Sequence, residues 1–371
     1  MATRIVVAMS GGVDSSVAAA LLHEQGYEVI GITLQLWGKE ACVSSGTRLC
    51  CSVRDALDAK AVAKRLGIAH EVLELVEEFR TEVIDYFVES YREGLTPNPC
   101  IACNTFIKFG ALFERADALD ASWVATGHYA RTGHDPATDR YTLSQALDPK
   151  KDQSYVLFDL TQAQLARARF PLGELSKPAV RDLARSLELA TAEKPDSQDV
   201  CFVRDRDKDG FLRRQLHVSD ARPGDRAWLA GEPGPIIDSS GNQLGTHHGL
   251  LGYTIGQREG LGLAVGKPLY VVALDQPNNR LVVGSREELL RECLIAERVN
   301  WISRHPPQEP LRARVKIRSR HQAASATVTP EGDGRVRVEF DEAQSAITPG
   351  QAAVFYDGDL VLGGGWIAKD A

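Results

Sequence analysis

The chain has 371 residues, enough for two or three domains. With 43% hydrophobic and 25% charged side chains it has the composition of a folded globular protein, which excludes disordered and fibrous classes. A formal net charge of −7 excludes a uniformly basic nucleic-acid coat, so an RNA-binding surface has to come from a local cluster of cations.

Seven cysteines, odd in number and sparse, do not make a secreted disulfide scaffold. No apolar run approaches the roughly 18–20 residues a membrane helix needs. The opening MATRIVVAMSGG runs directly into a glycine turn and reads as a strand, not a leader. A cytoplasmic protein with no membrane partner is expected.

In chain order, the pattern predicts a strand over residues 4–9, a helix over 17–24, a strand over 29–34, a helix over 53–66 and a strand over 69–76. Helical spacing follows over 77–92 and 106–119, with a β-like run at 122–126. Strands alternating with helices predict an α/β domain: a parallel sheet with helices on both faces. From about residue 208 the segments shorten and turn signals such as GEPGP, SSGNQLG and PEGDG separate strand-like runs at 268–274, 280–283, 311–319, 335–340 and 352–356. Two small β domains are expected there, separated near residues 286–296, a stretch that reads as helical at its start.

The first motif follows the first strand. Ser10-Gly11-Gly12-Val13-Asp14-Ser15-Ser16 places two glycines where the backbone must turn tightly. It then opens a helix whose N–H groups form an anion site. The Gly-Lys-Ser/Thr ending of the Walker loop is missing, which argues against ordinary γ-phosphoryl transfer. The heptapeptide resembles the PP-loop of the ATP pyrophosphatases, which split ATP between its α- and β-phosphates, and Asp14 suits a Mg²⁺–pyrophosphate unit.

The second motif is Thr96-Pro97-Asn98-Pro99-Cys100-Ile101-Ala102-Cys103-Asn104, a proline-stiffened loop with a Cys-x-x-Cys pair ahead of a helix. A thiol at a helix N-terminus is shifted toward the thiolate. Alone, the pair is equally compatible with redox, zinc, Fe–S or packing roles. Asp196-Ser197-Gln198-Asp199-Val200-Cys201-Phe202 adds a third cysteine, and Cys42, Cys50 and Cys51 lie before the helix at 53–66. The third motif is Leu311–Arg320, in which Arg312, Arg314, Lys316, Arg318 and Arg320 alternate with other residues. On a strand they would share one face, a natural partner for phosphates or for acidic neighbours.

These segments, with ATGHYAR (125–131), KDQSYVL (151–157), FPLGELSKPAVR (170–181), GYTIGQREGLGL (252–263) and ITPGQAAVFYDGDLVLGGG (347–365), occur in one order along the chain. Together they resemble the tRNA-specific 2-thiouridylases, which convert the wobble uridine of certain tRNAs to 2-thiouridine. The resemblance implies a PP-loop domain over residues 1–207, a small central β domain over 208–287 and a C-terminal β-barrel contacting tRNA over 288–371. It puts Cys103 at the nucleophile position and Cys201 at the persulfide-carrying position. Ala8, Met9, Ser10, Gly11, Gly12, Val13, Asp14, Ser15, Leu34 and Gly127 fall where ATP is held. Asn98, Pro99 and Cys100 fall where the target base is faced. His128, Lys151, Asp152, Gln153, Arg318, Ser319 and Gln351 fall where tRNA is touched.

The implied cofactors are ATP and Mg²⁺. The implied partners are tRNA and a sulfur-carrier protein or cysteine desulfurase as persulfide donor. Some members carry aspartate in place of Cys100 and tyrosine in place of Ser319. Cys100, Cys103 and Cys201 also offer the alternative of a [4Fe–4S] cluster with one iron open. A small-molecule ligase built on the same loop is a competing class, disfavoured by Ala2 where a glutaminase would carry its N-terminal cysteine.

Overall fold

The computed structural model describes residues 2–37, 53–196, 200–203, 207–216 and 231–369. Cys42, Cys50, Cys51 and the Ser197-Gln198-Asp199 stretch lie outside the described residues.

The first half is built on a five-stranded sheet, every pairing parallel. In spatial order its strands are β3 (Ala69–Glu74), β2 (Glu28–Gln35), β1 (Arg4–Ala8), β4 (Trp123–Ala125) and β7 (Ala168–Arg169). The period-two alternation of β1 feeds two separate cores. Ile5 and Val7 join Val17, Leu22 and Val180 on one face, while Val6 joins Phe79, Phe87, Ile107 and Leu112 on the other. Because both faces are covered, β1 reads as an unbroken apolar run, as predicted. No helix among the described residues is long and apolar enough to cross a membrane.

Helix boundaries differ from the sequence expectation in an instructive way. The first helix spans Val13–Glu24, so most of the glycine motif is its first turn. The helix expected over 106–119 starts at Pro99 and takes in both cysteines; Pro at the first helical position fits there because that N–H would be unpaired anyway. It runs through a π-helical segment, Cys103–Ala111, bent at Phe109 (φ −122°), into Leu112–Ala118. The helix expected over 77–92 likewise contains a π segment, Arg80–Asp85.

The second half is β as expected. β8 (Gly234–Asp238), β9 (Gln243–His247), β10 (Tyr270–Asp275) and β11 (Arg280–Gly284) form a small sheet. β12 (Leu290–Trp301), β13 (Leu311–Lys316), β14 (Ala324–Gly332), β15 (Arg335–Ser345), β16 (Ala352–Asp357) and β17 (Leu360–Ile367) form the last unit. Pairing of β12 with β17 closes these six into a barrel. The helical start expected at 286–296 is one 3₁₀ turn, Glu287–Leu289, before β12 takes over. A hairpin from the first half, β5 (Ala130–Asp135) and β6 (Arg140–Gln145), adds to the barrel through Leu360 and Ser144.

The barrel also meets the cysteine loop. Thr96 N–H donates to the Pro349 carbonyl at 2.9 Å, and Gln351 Nε2 donates to the Thr96 carbonyl at 2.8 Å. Gly350, at φ +85°, lies against Leu95 and Thr96 so closely that a Cβ there would stand 2.8 Å from the Leu95 Cβ.

Candidate active site

Strand order reverses direction at β1: the chain goes out through β2 and β3 and returns to β4 on the other side. In open parallel sheets ligands bind at such a switch point, beyond the carboxyl ends of the strands. Both turns that leave it are glycine turns. Gly11 sits at φ +70° packed on the Asp55 main chain, and a Cβ on Gly127 would stand 2.7 Å from the Ser15 nitrogen. Gly12, the N-cap, offers no side chain to cap the helix Val13–Glu24, so its first-turn N–H groups keep their capacity to bind an anion. Ser15 and Ser16 hydroxyls both donate to the Gly12 carbonyl, at 3.2 and 2.8 Å, which fixes the turn from inside. Ala8 and Met9 lead into this turn at the end of β1, and Leu34 is buried in β2.

The charges around the loop come from far along the chain. Lys177, buried, donates from Nζ to Asp14 Oδ1 and Oδ2 at 2.7 and 2.8 Å and pairs with Asp196 at 2.8 Å. Tyr129 donates its hydroxyl to Asp14 Oδ1 at 2.7 Å; burial and the Asp14 charge push its pKa up, so the phenol stays a donor. Asp196 also takes Lys151 at 2.6 Å and Arg181 at 3.0 Å. Burial opposes its charge, but the hydrogen bonds from Lys151 and Lys177 win and hold its carboxyl below the usual range. Lys194 reaches the Gly11 carbonyl at 2.7 Å while paired with Asp55 and Asp58. Asp14 brings a carboxylate, 31% exposed, to a helix N-terminus; a hard oxygen donor beside amides free to bind an anion fits a Mg²⁺ carried by a nucleotide.

Lys177, Lys194, Asp196 and Tyr129 were not singled out from the sequence. Lys177, Asp196 and Tyr129 lie inside segments that carry the family likeness and Lys194 lies two residues before one, so the signal was position without a role.

The cysteine segment is a separate corner. Asn98 caps the helix, its Oδ1 accepting from Cys100 N–H at 3.2 Å; Pro99 is buried behind it and Cys100 is exposed. Cys103 is buried in the same core that includes Phe79 and Phe202, and Cys201 is half-buried against that core. Among the described residues no three His, Cys, Asp or Glu side chains assemble as a metal-ligand group. The iron–sulfur alternative on Cys100, Cys103 and Cys201 is therefore not supported: one thiol stands at the surface while another is enclosed in the core.

The residues matched to tRNA contacts fall into two kinds. Lys151, Arg318 and Ser319 reach the surface, and Arg318 donates to the Ser345 carbonyl at 3.2 Å. Asp152, Gln153 and His128 turn inward. Asp152 is 3% exposed at its side chain and accepts from Ala146 and Ser154 N–H groups and the Ser154 and Gln145 side chains. Gln153 accepts from Tyr129 N–H, and His128 pairs with Thr126 at 2.7 Å. Burial, then the nearby Lys108, drives the His128 pKa well down, so it is a neutral imidazole. Gln351 is half-buried on the Thr96 carbonyl.

The five-cation stripe is corrected. The strand ends at Lys316, so Arg318 and Arg320 lie beyond its register. Lys316 is buried 3.7 Å from Asp152, and Arg312 pairs with Asp341 at 2.5 Å. Only part of the run faces water as unneutralised charge.

Against known proteins, residues 3–205 match the family described as tRNA methyl transferase HUP domain. Residues 226–285 match its PRC-barrel domain and 291–367 the aminomethyltransferase β-barrel domain. The tRNA-specific 2-thiouridylase MnmA of Solibacter usitatus is 50% identical over 371 aligned residues, covering 98% of each chain. That of Heliobacterium modesticaldum is 50% identical, covering 100% of this chain and 94% of its own. That of Symbiobacterium thermophilum is 49% identical, covering 100% of this chain and 93% of its own. At about half identity over essentially its whole length, the chain belongs to the tRNA-specific 2-thiouridylase family.

Proposed function

We propose that this protein uses ATP to activate the 2-oxo group of a tRNA wobble uridine as an adenylate and then replaces that oxygen with sulfur. The observation that carries the reading is the closure of the SGGVDSS turn against Gly127 at the switch point, in a chain half identical to proteins named tRNA-specific 2-thiouridylase. ATP is held by Ala8–Ser15, Leu34 and Gly127. Asp14 is the residue that would hold Mg²⁺, which when bound neutralises charge on the leaving pyrophosphate. The Lys177 ammonium, 2.7 Å from Asp14, faces the same charge.

The uridine oxygen attacks the α-phosphate and pyrophosphate leaves. Asn98, Pro99 and Cys100 face the unstacked base, which has to leave its loop for such chemistry. A sulfur-carrier protein or cysteine desulfurase loads Cys201 as a persulfide. Its terminal sulfur attacks C2 and AMP departs with the former carbonyl oxygen. The Cys103 thiolate then attacks the Cys201 sulfur, forming a Cys103–Cys201 disulfide and releasing the thiocarbonyl. An external thiol reductant returns both cysteines to thiols. Lys151, Arg318, Ser319 and Gln351 contact tRNA, with Asp152, Gln153 and His128 shaping the turn beneath it.

The test incubates protein, ATP, Mg²⁺, a persulfide donor and unmodified tRNA, followed by mass spectrometry of the nucleosides. One oxygen replaced by sulfur on the wobble uridine, lost in Cys103→Ala and Cys201→Ala, is expected. A methyl group added instead, or full thiolation by Cys201→Ala, would overturn the scheme.

A further inference from the structure

We infer that Lys194 is a positioning residue of the nucleotide loop, locking the Gly11–Gly12 peptide with its N–H turned toward the phosphates of ATP. The inference deepens the ATP-binding reading of the loop and rests on it.

An anion site made of backbone N–H groups has a built-in hazard. Every peptide carries a carbonyl opposite its N–H, and a flipped peptide presents that carbonyl to the phosphate. The Gly11–Gly12 peptide is the one most exposed to this, because both flanking residues lack a Cβ and rotate at little steric cost. Gly11 is at φ +70°, in the left-handed region. The next peptide is already fixed: the Gly12 carbonyl accepts from the Ser15 and Ser16 hydroxyls and from Ser16 N–H at 3.3 Å.

Lys194 supplies the restraint on the first one. Its Nζ donates to the Gly11 carbonyl at 2.7 Å. In a planar trans peptide the Gly12 N–H then points the opposite way, away from Lys194.

The lysine is itself held. Its Nζ lies 2.7 Å from Asp55 Oδ1 and 2.6 Å from Asp58 Oδ2, two carboxylates one turn apart on the helix Val53–Leu66. Burial opposes its charge, but hydrogen bonds to Asp55 and Asp58 outweigh that and keep it protonated. With three acceptors for three N–H bonds, the ammonium is fully committed. The same segment is docked a second time, where the Thr191 hydroxyl donates to Ser16 Oγ at 3.1 Å. Lys194 stands behind the loop, so its part in the reaction is indirect.

The experiment measures binding of ATP·Mg²⁺ to the full chain by equilibrium dialysis, with tRNA and sulfur donor absent, and tRNA affinity separately without ATP. Lys194→Met is expected to raise the ATP Kd about tenfold or more, the loss of one charged hydrogen bond. Its tRNA affinity should stay at the wild-type value. In the complete reaction, KM for ATP should rise while kcat at saturating ATP stays within about threefold of wild type, since a loop reoriented by bound ATP is lost to affinity and not to chemistry.

Lys194→Arg keeps the charge but cannot place a fork on three convergent acceptors, so it should fall between the two, about threefold above wild type. If the Met variant does not fold, the Arg variant decides alone. ATP affinity equal to wild type in a folded variant overturns the inference. So does a parallel loss of tRNA affinity and kcat, which marks a general structural role. Wild-type protein that binds ATP but does not thiolate defeats the reaction proposed above and leaves this inference standing. Wild-type protein that does not bind ATP defeats the reading on which both rest.

Discussion

The nucleotide corner and the arginine strand of the barrel are both concentrations of charge, yet the chain builds them in opposite ways. At the corner the recognisable motif is seven consecutive residues with one charge, Asp14. The cations that organise it, Lys177 and Lys194, arrive from more than 160 positions away. On β13 the cations are consecutive and conspicuous, but their neighbours divide them: Lys316 is sequestered, Arg312 is countered by Asp341 and Arg314 stays exposed. A sequence motif reports reliably on backbone shape, because glycine and helix starts are local. What a charge does depends on the partner that tertiary structure brings to it.

The sharpest way to break this comparison is Lys177→Met. In the folded protein it leaves Asp14 and Asp196 without their shared cation; because both carboxylates are partly exposed and Asp196 keeps Lys151 and Arg181, the stability cost is about 2 kcal/mol, below that of a fully buried pair. Thiolation should fall on the order of 100-fold or more, as when a preorganised electrostatic group is deleted from an active site. The stability part has a defined pH signature. The Asp196 carboxyl is held below its ordinary value, so its contribution is present at neutral pH and is lost as pH falls through the folded-state pKa. Wild type and Lys177→Met should therefore converge in stability toward strong acid. Thiolation within tenfold of wild type, or a stability gap that persists at low pH, would mean the pair is scaffold only.

How much could be read from the sequence follows the same division. The parallel sheet, its order of strand and helix and the glycine turn were legible because β1 is an uninterrupted apolar run and Gly11-Gly12 can only be a tight turn before a helix. The β character of the second half was legible from its turns, although β8, β9, β12, β14 and β17 were not picked out there, nor was the β5–β6 hairpin of the first half. The start of the cysteine helix was misplaced by seven residues, because Pro97 and Pro99 read as loop when Pro99 is an N1 residue. The π segments were invisible: an i→i+5 bond pattern has no residue signature distinct from that of an α-helix. The ion-pair roles of Lys177, Lys194 and Asp196 were unreadable for the same physical reason that Lys316 looked exposed. Each is decided by a partner on another element.

A middle-sized effect separates burial from binding. Lys316→Met removes a cation 3.7 Å from Asp152, too far for a hydrogen bond, while Asp152 keeps four other donors. The unbranched Met fills most of the same volume, so the expected cost is about 1–2 kcal/mol of stability, short of that for breaking a fully buried close pair. Urea unfolding measures it. Once corrected for folded fraction, tRNA affinity should be unchanged, and a loss of tRNA affinity without loss of stability would return Lys316 to the binding face.

The smallest effects test the exposed end of the strand. Arg314 and Arg312 both point to solvent, but Arg312 is already countered by a bidentate contact with Asp341, at 2.8 and 2.5 Å. A phosphate contacting Arg314 gains a cation whose hydrogen bond goes to a neutral carbonyl, that of Ala323. A phosphate contacting Arg312 has to compete with a carboxylate. If tRNA lies along this strand, Arg314→Ala should weaken binding about fivefold at low salt and lower the log–log salt slope by about one, the signature of one lost phosphate contact. Arg312→Ala should cost less than half of that change in slope, because fewer counterions are displaced from a cation already paired within the protein. Filter binding across a salt series reads both slopes. Equal slopes for the two variants would show that Asp341 swings aside when tRNA binds, and no change in either would move the RNA path off β13 and toward Lys151 and Arg318.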